Sequence, residues 1–501
     1  MTPRSWAANP ARTARRCTLI AVSCGVALTT LWTVPPARAQ QWRGRASTRV
    51  QYVELRPFRL DSVPIGNTVL TAGQRMFGNR LVTCAPAAAF CFFYASDEAV
   101  STAPLVQDLD LTVWGFGVEG LRAYVSTRFR ASLADEEFWP RSDDHFDLIR
   151  GFVELKRSRY RFRLGRDFQV SGLGFYGYDG GSAQVRFRPG RIELEAYGGW
   201  GLARGLAEPV TSDALAALEE FQPRRRNYLF GFRASARPIS NGSIEAIYQK
   251  EIQTNRSGIA SERVAFEASY RPIRELSLEG HADYDLGTGW WGKAGTSIGW
   301  SPITKLFLEG RVFRYRPVFD LQTIWAAFSP TPYTGYGLTV GVRPRPDLSI
   351  RVEGERRDYA DTEAEVPFQV TTDRTWRAGA SASWRANRHL DVQGAYHLDF
   401  TFGSALSAGE ARVNTHPFDK LTVGARFSAF QQLGEFRVGE GRVWSLGGNL
   451  RYETPLGTLW GAVDRYRHDR RDEASGLPDW TQVRASFGLA FYIGSEPGRR
   501  P

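Results

Sequence analysis

Beyond its first forty residues, this 501-residue chain has no apolar run near the roughly eighteen residues that a membrane-crossing helix needs. If it enters a membrane there, it does so as strands. Lysine is scarce, with only Lys156, Lys250, Lys293, Lys305 and Lys420, so the positive charge rests on arginine. Six scattered histidines (His145, His281, His389, His397, His416, His468) show no ligand spacing. H-E-x-x-H and C-x-x-C-H are absent and no nucleophile elbow is read, so no metalloprotease, esterase or c-type haem protein is expected, and no enzyme or cofactor. Only a triad assembled across strands stays open.

What is present begins with an export signal. Arg12, Arg15 and Arg16 precede a mostly apolar stretch from Cys17 to about Val34, and Ala37-Arg38-Ala39 offers an A-x-A cleavage site. Residues 1–39 read as a secretory signal peptide, with a retained anchor as the rival. Cys24 lies inside the apolar core, which does not suit lipidation.

From about Arg45 onward short alternating strands recur. Val483, Ala485, Phe487, Leu489, Phe491 and Ile493 share one face, and Gln482, Arg484, Ser486, Gly488, Ala490 and Tyr492 the other. The first set suits lipid and the second a wet lumen. A secreted sandwich or propeller also alternates, but Trp376, Ala378, Ala380, Ala382 and Trp384 put aromatics at both strand ends, as membrane girdles do.

Turn signals set the count. Arg188-Pro189-Gly190, Arg237-Pro238, Arg271-Pro272, Ser301-Pro302, Arg343-Pro344, His416-Pro417 and Thr454-Pro455 separate alternating runs. Proline is expected there at the first central turn position. Turns without proline fall near Glu119-Gly120, Lys156 to Arg159 and Ala386 to Arg388. Ten turns and one further strand at each end give about twenty-two strands, within a range of roughly 18 to 22. Longer segments (59–105, 134–146, 203–225, 317–334, 360–372 and 467–479) lie between the pairs. The expected fold is one all-β, antiparallel transmembrane β-barrel over residues 40–494, with short periplasmic turns, long extracellular loops and a polar tail at 495–501.

Phe152-Val153-Glu154-Leu155-Lys156, Phe162-Arg163-Leu164-Gly165-Arg166-Asp167 and Tyr178-Asp179-Gly180 form a strand, a basic turn, an "LGRQ"-like box and an "FDG"-like box. Asp167 stands where Gln is usual and Tyr178 where Phe is usual. Over about thirty residues this resembles the Gram-negative outer-membrane porins, most closely the group that includes the alginate-export family. The resemblance implies an outer-membrane location, surrounding lipid and lipopolysaccharide, and insertion by the barrel-assembly machinery. The final strand resembles the assembly signal, with Phe491 to Ile493 and a tail replacing the terminal aromatic.

Charge supplies the cargo argument. The formal charge is +11, and the signal holds five arginines and no acids, leaving 11 − 5 = +6. Arg161, Arg163, Arg186, Arg188, Arg351, Arg377, Arg426, Arg451 and Arg484 fall opposite the apolar sets and are candidates to line the lumen, where guanidinium groups favour anions. Acids gather instead in presumed loops, as in Asp135-Glu136-Glu137. Three other readings stand beside this one: genome-wide composition, ion-pair ladders with Glu154, Glu267, Glu353 and Glu355, or contact with lipopolysaccharide phosphates. Nucleic acid is set aside, since no binding motif accompanies the arginines.

With Cys17 and Cys24 removed by cleavage, Cys84 and Cys91 remain in the first long segment and are expected to form a disulfide. That segment also holds Phe90, Phe92, Phe93 and Tyr94, so it reads as a lumen constriction, a rim lid or a simple extra hairpin. Gly172, Gly174 and Gly177 fit G-x-G-x-x-G, but the next residues alternate as a strand and offer no helix for a pyrophosphate, so these glycines are expected in an external loop.

Passive diffusion of small hydrophilic, anionic solutes is the leading reading. An exporter of an anionic polysaccharide, a barrel sheath around a porin-cytochrome electron conduit, and a barrel enzyme or adhesin are the alternatives. A TonB-type transporter is disfavoured because no plug-sized segment precedes the barrel.

Overall fold

The computed structural model describes residues 41–134 (except 56, 57, 72, 73, 79, 86, 87 and 97), 145–202, 225–253, 258–316, 332–359, 374–401, 404–433, 441–470 and 480–494. The segments expected to be a signal peptide (1–39) and a polar tail (495–501), and most of the acidic loop residues, lie outside them. The described chain is an antiparallel sheet closed on itself. Twenty-two staves make the wall: Gln41–Leu55, then Val100–Thr102 continued by Pro104–Trp114, then each strand in sequence order to Trp480–Gly494. Closure pairs the last stave with the first, from Arg43 opposite Gly494 to Val53 opposite Arg484. No described helix is long and apolar enough to cross a membrane.

Alternation decides which face is which. Leu164 (72% exposed), Leu338 (58%), Trp376 (57%) and Phe487 (56%) point outward, while Glu154, Asp167, Gln184 and Glu355 point inward and are buried. A sheet that exposes its large apolar side chains and buries its carboxylates is inside-out for water and right for lipid.

All ten turn sites read from the sequence lie at one end of the barrel, where two- to six-residue connections join successive strands. Pro189 and Pro455 take the expected first central position, in turns closed by the Arg191 N–H on the Arg188 carbonyl and the Gly457 N–H on the Thr454 carbonyl; the other five prolines differ. Pro238, Pro272, Pro302, Pro344 and Pro417 belong to strand ends, and with the residue before them face a single partner: Arg237 and Pro238 oppose Ser243 alone, and Arg271 and Pro272 oppose Ser277 alone. These are bulges, where a residue without an N–H leaves no ladder bond unmade. The residue before proline keeps its N–H and donates to the preceding turn, as Arg271 does to the Asn241 carbonyl at 2.8 Å and Ser301 to that of Glu275 at 2.7 Å.

The first long segment forms two small sheets with their own core, more than the simple extra hairpin among the expectations. Phe58–Pro64, Phe90–Ser96 and Thr83–Cys84 form one three-stranded sheet, and Val69–Thr71, Gln74–Phe77 and Arg80–Leu81 another. Val63, Val82, Cys91 and Phe93 pack between them, and Cys84 and Cys91 are bonded. Cys84→Ser is expected to lower this segment's stability by roughly 2–3 kcal/mol, since the bond closes a short loop. Limited proteolysis checks this: cleavage within 58–96 should quicken while the barrel stays intact.

Candidate functional site

The lumen's interior is shaped by one hairpin. Tyr160–Ser171 and Gly174–Phe187 pair along their whole length, down to Ser171 opposite Gly174. Among the described residues their neighbours pair with them only partway up. The ladder from His145–Lys156 stops at Gly151 opposite Arg166, and that from Ile192–Leu202 stops at Tyr178 opposite Gly201. Above those levels the hairpin leaves the wall and leans into the barrel.

A row of glycines sits where it bends. Gly165 faces Gly180, and Gly180 faces Gly199. A Cβ on Gly165 would overlap the Gly151 carbonyl, one on Gly180 the Gly198 carbonyl, and one on Gly199 the Asp179 carbonyl. Gly165 also has φ +133, a conformation closed to most side chains. The "LGRQ"-like and "FDG"-like boxes thus meet in one register, and Arg166 grips Asp179 through two bonds of 2.7 and 2.9 Å behind the bend.

The tip reaches across the next four strands. Leu173, Tyr176 and Tyr178 pack on the inward side chains Tyr197, Leu229, Ile247 and Ala265, all under 9% exposed. Arg263 holds the tip, donating to the Leu173 carbonyl and the Tyr176 hydroxyl at 3.2 Å each while pairing with Asp283 at 2.6 Å. The glycines of the G-x-G-x-x-G pattern therefore lie in a lumen shelf rather than an external loop. The tip runs close to the wall, where a Cβ on Gly172 would meet the end of the Glu267 side chain.

Most inward arginines are paired across the wall. Arg163 bridges Glu154 (2.6 Å) and Asp167 (2.8 Å), Arg122 reaches Glu154 (2.7 Å), and Arg150 reaches Asp167 (2.6 Å). Arg161 meets Glu195, Arg186 meets Glu193, Arg426 meets Asp464 and Arg451 meets Glu453. Arg484 bonds Gln482 and lies over Tyr466. Of the nine candidates, Arg188, Arg351 and Arg377 make no ion pair among the described residues, and the same holds for Arg43, Arg45, Arg49 and Arg412 on inward positions that sequence reading did not nominate. Inward parity was available for those four; their lack of a partner was not. Removing Arg163 would leave Glu154 to Arg122 and Asp167 to Arg150, so Arg163→Ala is expected to cost about 1.5–3 kcal/mol for the lost charged hydrogen bonds, read as a lowered midpoint of urea unfolding in detergent.

Below the shelf, a cavity of about 1420 Å³ runs along the wall, edged by Arg188, Glu245, Glu267, Arg311 and Arg377. Gly295-Thr296-Ser297-Ile298-Gly299 does fit G-x-S-x-G, contrary to the sequence reading, but Ser297 lies mid-strand in Trp290–Ile303, without the strand-to-helix turn of a nucleophile elbow. Among the described residues no three acidic, histidine or cysteine side chains are grouped to hold a metal.

No family profile and no curated protein matches the sequence. Among solved structures, the chain is similar to the P pilus usher PapC translocation pore (10% identity, TM-score 0.42, covering 90% of this chain and 99% of that one). It is also similar to Pseudomonas aeruginosa OccK2 in complex with glucuronate (9%, 0.41, 92% and 100%) and to the ferric enterobactin receptor PfeA (9%, 0.48, 90% and 81%). Likenesses at this level transfer no ligand, and the fold rests on the closed ladder itself.

Proposed function

We propose that this protein is an outer-membrane channel of a Gram-negative-type bacterium, passing small hydrophilic solutes with a preference for anions. The observation that carries it is the closed 22-stave wall with an apolar outer face and a charged inner one. In this reading the short turns lie in the periplasm and the long loops outside the cell. Anion preference is supported by Arg43, Arg49, Arg351 and Arg412, which make no ion pair among the described residues and have no carboxylate opposite them in their ladders. The shelf narrows one side of the lumen and limits solute size. Refolded mature protein in a planar bilayer under a salt gradient tests the reading: conductance with anions more permeant supports it, and inserted protein without conductance overturns it. Export of an anionic polysaccharide would use the same charges and is distinguished by the solute that blocks the current.

A further inference from the structure

One flank of the cavity is an ordered lattice of rings and charges. On the strands Leu306–Tyr315, Tyr333–Arg345 and Leu348–Tyr359 the inward side chains fall into three levels. The register sets Tyr315 beside Tyr333 and Tyr333 beside Tyr359, then Phe313 beside Gly335 and Gly335 beside Arg357, then Arg311 beside Gly337 and Gly337 beside Glu355. The last level continues through Arg377 to Asp399. At two residues per level the lattice spans about 13 Å along the strands. Tyr333 lies 5.5 Å from Tyr315, 5.3 Å from Tyr359 and 6.0 Å from Phe313, so the four rings form one continuous surface. Glycine lets it lie flat. A Cβ on Gly335 would strike the Phe313 ring and one on Gly337 the Arg311 side chain, so both side chains lie across the next strand instead of standing out into the lumen.

The polar groups beside the rings differ in what they have left to offer. Arg311 and Arg357 both hold Glu355, at 2.6 and 2.7 Å, and their charge is largely answered. Arg377 makes no hydrogen bond or ion pair among the described residues, and neither do the hydroxyls of Tyr315 and Tyr333. All three residues line the cavity. Arg377 also stands between Glu355 and Asp399 in its ladders, so a carboxylate approaching it would meet like charge on either side. A hydroxyl meets no such barrier, because it donates as well as accepts and can answer guanidinium, phenol and carboxylate alike. The rings add the second requirement. Their electron-rich faces favour the weakly positive C–H face of a saturated ring.

We propose that this lattice is a binding subsite for an uncharged saccharide, with Phe313, Tyr315 and Tyr333 as its platform and Arg377 bonding its hydroxyls. The proposal rests on the channel reading for solute access to the lumen, and adds an uncharged solute to it. Saturation-transfer NMR on the full mature protein in detergent micelles, titrated with maltotriose, reads binding without needing a current. Saturation of the sugar's ring C–H protons is expected, with a Kd at least about tenfold below that of polyethylene glycol of equal size. Replacing Tyr315 and Tyr333 together by alanine should weaken binding at least about tenfold, whereas Tyr333→Phe, which keeps the ring, should hold it within about threefold; the urea unfolding midpoint reports that each variant is folded. A folded double variant that binds like the wild type overturns the platform, as does polyethylene glycol binding as tightly as maltotriose. Trigalacturonate binding more tightly than maltotriose overturns the uncharged class. A protein that conducts salt but shows no saturation transfer overturns the subsite and leaves the channel. Maltotriose bound by a protein that inserts without conducting overturns the channel and leaves the subsite.

Discussion

Leu173→Asp is expected to raise single-channel conductance, because it should lift the shelf out of the lumen. Leu173, Tyr176 and Tyr178 are all buried against the opposite strands. At roughly 1.5–3 kcal/mol per large apolar side chain, docking stabilises the shelf by roughly 5–9 kcal/mol as an upper figure. A shelf held that firmly stays docked, so the wild-type channel should show one steady level rather than frequent closures. An aspartate at the tip loses leucine's share and places an unpaired carboxylate in an apolar contact, which costs several kcal/mol more. Chymotrypsin cleavage after Phe168, Phe175 or Tyr176, which lie in the shelf itself, would report the freed hairpin independently. Gly180→Val should act in the same direction from the other end, since its side chain cannot coexist with the Gly198 carbonyl. Unchanged conductance with a freed hairpin would mean that solutes do not pass beside the shelf.

The second large effect concerns selectivity. Replacing Arg351, Arg377 and Arg412 together by glutamate is expected to carry the reversal potential from the anionic to the cationic side. These arginines face the lumen on three strands and make no ion pair among the described residues; Arg351 and Arg412 have no carboxylate opposite them and should contribute most, whereas Arg377 lies opposite Glu355 and Asp399. The shift should shrink in concentrated salt, where screening acts over about 3 Å at 1 M rather than about 10 Å at 0.1 M. Exchanging Arg186 with its partner Glu193 should leave selectivity almost unaltered, because the pair is neutral either way. A triple variant as anion-selective as the wild type would place the charge filter elsewhere.

The barrel was legible because a strand's period of two is written residue by residue, and each hairpin turn carries its own punctuation. Val483 to Ile493 and Trp376 to Trp384 announce their outward faces without help from any neighbour. Proline was legible as punctuation but not in its exact role, since a bulge at Arg237-Pro238 depends on the facing Ser243. The shelf was not legible. Gly165, Gly180 and Gly199 are far apart in sequence and form a row only once the register is known. Arginine pairing failed for the same reason: Arg161 and Glu195 lie on strands two apart, and nothing local marks them as partners. The inward arginines can be counted from strand parity; which of them lack an ion-pair partner is a property of the assembled wall.

The account's central claim is a water-filled, anion-preferring lumen narrowed on one side. Reversal potential and conductance of the refolded protein from about Gln40 onward, in a planar bilayer under a potassium chloride gradient, test it most directly. The account predicts a steady conductance whose reversal potential shows chloride more permeant than potassium. A cation-selective current, or none from inserted protein, would contradict it.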